Sequence, residues 1–271
     1  MIKLLKKNIL HGRVICNEVI NHYNSILPEV TISENIDIIT VVDKSSFANA
    51  SLRKVNIKNG EVNFLMVDKY IKWISKVKEL YNYILNNYNE LPDYLLYLDG
   101  TDTLIINDIL NPKEMLDYYN CKVLFNAEPD FWHTGTQAPE DSPKFYKELQ
   151  TTKAEYVIKN KEKYNLDRYY HQALNAGVFL GEKDFILKLL GECLELMNDD
   201  YHKGYPYGDT DDQLLLRHFH NIYFDDISID LFHKWMFWGN HDSLKSEENM
   251  LSPDLLSQEM LQYENKILKN E

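Results

Sequence analysis

No stretch of this sequence approaches the roughly 20 consecutive apolar residues that a membrane span requires. The start, Met1-Ile-Lys-Leu-Leu-Lys-Lys, carries charge but no apolar core of the kind a secretory leader needs. Cysteine is scarce. Cys16, Cys121 and Cys193 are odd in number and widely spaced, and read as reduced residues rather than a disulfide framework. These absences set the expectation of a cytoplasmic protein. Positive charge is also in deficit, with 29 Lys and Arg against 42 Asp and Glu and a net charge of −13. That balance argues against a nucleic-acid backbone or an anionic membrane as the main partner. It also means that any phosphorylated ligand must be met by something that offsets the repulsion. There is no low-complexity tract, no internal repeat and no convincing interdomain linker, and the 19 tyrosines are scattered.

What is present is an ordinary globular composition, 44% hydrophobic and 26% charged over 271 residues. Apolar spacing over residues 1–27 predicts one or two helices ending before Pro28. The β-branched run from Ile36 to Val42 predicts a buried strand that delivers Asp43-Lys-Ser-Ser to its end. A short strand is expected near Val62. Residues 67–88 have an amphipathic helical pattern, with Lys69, Lys72 and Lys76 on one face, an arrangement usual for a solvated stripe. Further strands are expected at 122–127, 222–224 and 227–231, and a turn entering a strand at 174–181. Helices are expected at 183–197, from Asp209 to His218, and from Ser252. Residues 134–170 read as a long polar loop with a little helix, a length more often functional than idle. The expected architecture is an α/β single domain with a mixed, mainly parallel sheet flanked by helices, preceded by a helical segment (1–34) and followed by a helical tail (243–271).

The most informative stretch is Tyr94-Leu-Leu-Tyr-Leu-Asp-Gly-Thr-Asp-Thr-Leu-Ile-Ile. A buried strand here brings Asp99 and Asp102 to its carboxyl end, where ligands collect in open α/β sheets. Two carboxylates three residues apart across a Gly-containing turn can converge on one hard divalent cation. A polar turn needs Asp and Gly as well, so the stretch alone leaves both readings open. Tyr97-Leu-Asp-Gly-Thr also echoes the signature of haloacid-dehalogenase-type phosphatases. The nucleophile position there is Tyr97, which cannot form an aspartyl phosphate, and that reading fails on chemistry.

Three more polar clusters stand at element ends: Leu124-Phe-Asn-Ala-Glu128 with Trp132, Leu174-Asn-Ala-Gly-Val-Phe-Leu-Gly181, and Asp211-Asp-Gln213. In order and context, the four clusters over residues 35–242 resemble the GT-A glycosyltransferases. The specific resemblance is to the glycosyltransferase domain of the lysyl hydroxylase/procollagen glycosyltransferase group. It implies a Rossmann-like GT-A fold and transfer of a hexose from a nucleotide-sugar donor, a UDP-sugar in that family, with Mn²⁺ or Mg²⁺ at Asp99 and Asp102. It places the nucleotide over Val41, Val42 and Asp43, with Lys76 beside the phosphates. Asn175, Asp211 and Asp212 would act at the donor sugar or acceptor, with Gly177 and Gln213 beside them, and Glu128 and Trp132 would line the acceptor side.

The family takes its third metal ligand from a late His in a His-Gly-Asn type segment. Here the order is reversed in Trp238-Gly-Asn-His241, and His241 is the expected ligand. Gly100 and Thr101 stand where the family often has an aromatic between the metal aspartates. No separate base is evident, which points to a retaining reaction, and the missing leader points to a glycan or other cytoplasmic acceptor rather than collagen. The alternative is a catalytically degenerate GT-A domain serving as a binding or scaffolding module.

Overall fold

A computed structural model describes residues 6–23, 27–69, 74–128, 159, 162–163, 173–198 and 212–238. In chain order the elements are β1 (Ile9–His11), α1 (Arg13–His22), β2 (Glu29–Val30), β3 (Ile36–Asp43), β4 (Asn56–Ile57) and β5 (Val62–Val67). These are followed by α2 (Ile74–Asn86), β6 (Tyr94–Leu98), β7 (Thr103–Ile105), α3 (Pro112–Tyr119) and β8 (Val123–Glu128). The last are β9 (Ala173–Glu182), α4 (Lys183–Asn198), α5 (Asp212–Ile222), β10 (Ile227–Ile229) and β11 (Met236–Trp238).

Six strands form one mixed sheet in the order β10-β8-β9-β6-β3-β5. β9 runs antiparallel to both of its neighbours, and the other pairings are parallel. The fold is therefore mixed α/β, a six-stranded sheet flanked by helices. The β-branched run of β3 and the apolar run of β8 are buried along almost their whole length, as strands covered on both faces must be. Val77, Leu80 and Ile84 of α2 recur at helical spacing and are buried, and α2 packs on α4.

A second sheet, β11-β1-β7, sits beside the first. β1 is parallel to β11 and antiparallel to β7, with His11 opposite Thr103. Leu10, Leu104 and Ile106 pack with Ile15, Cys16, Val19 and Ile20 of α1 in a separate small core. The amino-terminal region is thus a strand followed by one helix, not helix throughout. Helical spacing can be satisfied by a three-residue strand too short to show its own period.

Three other local expectations change. Val67 ends β5 rather than opening a helix. Ile222 ends α5, and Tyr223 and Phe224 are turn rather than strand. Leu174 to Gly181 is not a turn entering a strand but part of the ten-residue β9. Its pairing with β8 slips between Phe125 and Asn126: Asn126 faces Asn175, whereas Phe125 faces Phe179. The extra residues bulge toward the carboxyl end of β6, where Asp99 N donates to Gly177 O at 2.7 Å. Most of the long polar segment 134–170, and the helix from Ser252, lie outside the described residues; residues 159, 162 and 163 within that segment are helical.

Candidate metal centre

Asp99 follows β6 directly, and Asp102 precedes β7. The turn between them is pressed onto β3. A Cβ on Gly100 would lie 2.3 Å from Val42 Cγ1 and 2.9 Å from Thr40 Oγ1, so a side chain there is excluded by packing. Ser51 clamps the far side, with its Oγ donating to Thr103 O at 2.7 Å and accepting from Thr103 N at 3.0 Å. From the other direction, Gly12 N donates to Asp102 O at 2.8 Å, and the Cys16 thiol reaches the same oxygen at 3.1 Å.

That docking puts His11 against the two carboxylates. Its Nε2 lies 3.6 Å from Asp102 Oδ1 and 3.9 Å from Asp99 Oδ2. One ligand atom from each of the three residues falls within 4.8 Å of the others, a group that could hold a metal ion. Gly177 forms a further wall: a Cβ there would come 2.4 Å from His11 Cε1, 2.6 Å from His11 Nε2 and 2.7 Å from Asp99 Oδ2. One imidazole and two carboxylates suit a divalent ion that accepts both nitrogen and oxygen, as Mn²⁺ does. The imidazole is 5% exposed, and its Nδ1 has no hydrogen-bond partner among the described residues. Burial alone would lower the His11 pKa, but Asp102, and then Asp99, outweigh it and raise it. Burial pushes Asp102 up, but His11 leads the charges that bring it below its ordinary value. Without a metal, the geometry favours an imidazolium between carboxylates.

Beside this group, Val41, Val42, Asp43, Ser46, Lys76, Asp99, Gly100 and Thr101 line a cleft of about 210 Å³. Asp43 folds its carboxylate back onto the following turn. Oδ1 accepts from Ser45 N and Ser46 N, both at 2.9 Å, and Oδ2 accepts from Ser46 Oγ at 2.8 Å. Hydrogen bonds from the Ser45 and Ser46 side chains hold its pKa down at about 2. Lys76 is not part of a solvated stripe. Its ammonium is buried, ion-paired with Asp212, 3.5 Å from Asp99 Oδ1 and 3.1 Å from Ala176 O.

Behind the bulge lies a second charged network. Glu128 accepts from Asn175 Nδ2 at 2.8 Å, Gln213 Nε2 at 2.7 Å and Arg217 Nη2 at 2.5 Å. Gln213 Oε1 accepts from Ala176 N at 3.0 Å, and Asn175 Oδ1 accepts from Gly177 N at 2.9 Å. Glu128 is buried, which raises its carboxyl pKa despite the opposing pull of Arg217. The network fixes the bulge from which Gly177 faces the metal group.

The structure thus brings Asp99, Asp102, Lys76, Asn175, Gly177, Asp212, Gln213 and Glu128 into one contiguous region, with Val41, Val42 and Asp43 across the cleft. Trp132, Asp211 and His241 lie outside the described residues. Sequence reasoning missed His11 and Arg217. Each had a signal: His11-Gly12 is the sequence's sole His-Gly dipeptide, and Arg217 follows Gln213 at i+4 on the same helix face. Compared with known proteins, the chain matches no protein-family model, and no curated protein is significantly similar to it in sequence.

Proposed function

We propose that this chain is a metal-dependent glycosyltransferase of the GT-A type, transferring a hexose from a UDP-sugar to a glycan or protein acceptor with retention at the anomeric carbon. The observation that carries the reading is the His11/Asp99/Asp102 group opening onto the cleft lined by Val41, Val42, Asp43 and Lys76. A divalent cation held there would supply the Lewis acidity and positive charge that a diphosphate leaving group demands. In an acidic chain, that charge is what admits an anionic donor at all.

In this reading, Asp99, Asp102 and His11 hold the cation, and Val41 and Val42 supply an apolar wall for the base. Lys76 adds a second positive charge. Asn175 and Asp212 face the sugar. Glu128 keeps Asn175 and Gln213 in register, with Arg217 balancing its charge.

A second reading, a degenerate module, draws on one fact. Asp212 and Glu128 are both satisfied by cations within the protein, as purely structural carboxylates would be. Calorimetric titration of UDP, with Mn²⁺ and then with excess chelator, tests the nucleotide site, and turnover of UDP-hexoses by protein that binds separates the two. Metal-requiring binding that is lost in Asp99→Asn supports the transferase site. Absence of binding under both conditions removes it.

A further inference from the structure

Among the described residues lining the cleft, Lys76 is the cation, yet its ammonium is directed at partners on two sides. One is Asp99, a member of the metal group, at 3.5 Å. The other is Asp212, which is 4% exposed and opens α5. Ala176 O at 3.1 Å and the Tyr97 ring, 5.1 Å from the ammonium to its centroid, lie beside it as well. A cation bound at His11, Asp99 and Asp102 would draw on the Asp99 charge and weaken its hold on Lys76. A diphosphate on that cation would offer Lys76 a more highly charged acceptor than Asp212. Lysine suits an exchange of this kind, being a point charge on a flexible stem with rotatable donors rather than a fixed fork.

We infer that Lys76 is an exchangeable cation, paired with Asp212 in the ligand-free cleft and transferred to the diphosphate when metal and ligand enter. The inference rests on the nucleotide-diphosphate reading above and adds a regulatory consequence. Asp212 competes with the ligand for one ammonium, so it lowers diphosphate affinity in the wild-type protein. A merely structural ion pair has a different consequence: removing Asp212 would leave binding unchanged or weaker.

The test is calorimetric titration of inorganic pyrophosphate and of UDP into Mn²⁺-loaded wild-type protein, Asp212→Asn, Lys76→Gln and the double variant. Exchange predicts that Asp212→Asn binds pyrophosphate tighter by about fivefold or more. Lys76→Gln should bind it more weakly by a similar factor, and the double variant should lose the gain. Unchanged or weaker binding by Asp212→Asn overturns the inference, as does a gain that persists without Lys76. If Asp212→Asn does not fold, Lys76→Gln decides, and wild-type affinity in that variant overturns the exchange. A pyrophosphate gain with UDP no better than pyrophosphate supports the exchange and rejects the nucleotide reading. Binding of neither probe by the wild type rejects both.

Discussion

Truncating His11 to alanine gives the sharpest test of the metal centre. Losing a residue that merely orients a ligand typically costs metal affinity about 10- to 100-fold, so losing one of three protein ligands should cost at least about 100-fold. At Mn²⁺ held a hundred times above its wild-type Kd, the bound ion stabilises the folded state by about 2.7 kcal/mol. In a domain of this size, each kcal/mol moves Tm by roughly 2–4 °C, so the wild type should gain roughly 5–10 °C. For His11→Ala the same concentration only matches the weakened Kd, leaving about 0.4 kcal/mol and a gain of about 1 °C. Because removing a buried ring also lowers metal-free stability, each shift is read against the variant's own chelated Tm by scanning calorimetry. His241→Ala serves as the comparison. A full-sized shift in His11→Ala, or its loss in His241→Ala instead, would refute the assignment of His11.

The pH dependence of the same site follows from its charges. Because Asp102 and Asp99 raise the folded His11 pKa above 6.5, the imidazolium adds stability to the metal-free protein at low pH, and this is lost as pH rises through the raised value. Mn²⁺ affinity should move the opposite way and increase over that window, with proton release measurable by titration in buffers of different ionisation enthalpy. Gly177→Ala should weaken Mn²⁺ binding about tenfold or more, since its Cβ falls within 2.7 Å of both His11 and Asp99, while leaving β9 paired; metal titration and far-UV circular dichroism check the two halves. Arg217→Met should destabilise the fold by about 3–5 kcal/mol in urea unfolding, because Glu128 loses its buried cation. Adding Glu128→Gln should recover much of that loss, and strictly additive costs would contradict the coupling.

The parts of this molecule legible in its sequence are those in which neighbouring residues act together. Tyr94 to Leu98 is apolar and continuous, Gly100 breaks it, and two aspartates flank the break, so strand, turn and paired carboxylates could be read in one pass. β3 and α4 were readable on the same grounds. α3 went unread although its signals were present: Asn111 caps it, accepting from Glu114 N at 3.2 Å, and Pro112 follows at the first helical position. His11, despite its His-Gly dipeptide, could not be placed in the site for a different reason. Only pairing of β1 with β7 brings it to Asp99 and Asp102, and a three-residue strand carries no periodicity to announce that partner. The burial of Lys76 was hidden by its company. Local spacing assigns it to the same face as Lys69 and Lys72, whereas the contacts that bury it come from β9 and α5, about 100 and more residues later. The slip in β9 that aims Gly177 at the metal group is likewise a property of two strands, not of either alone.

The small sheet has a consequence for when the site comes into being. β1 is made before either strand it pairs with, and the Cys16–Asp102 contact alone spans 86 residues. Closing so long a loop costs entropy before any contact repays it, and contacts of that range tend to form late and slowly. Asp99 and Asp102 can reach their turn while the main sheet is assembling, but His11 joins them only when β1 docks. The three-residue group of the proposed ion site is therefore completed late in folding. The appearance of tight Mn²⁺ binding after dilution from denaturant should lag behind the recovery of helix and sheet, and so time the arrival of the amino-terminal strand.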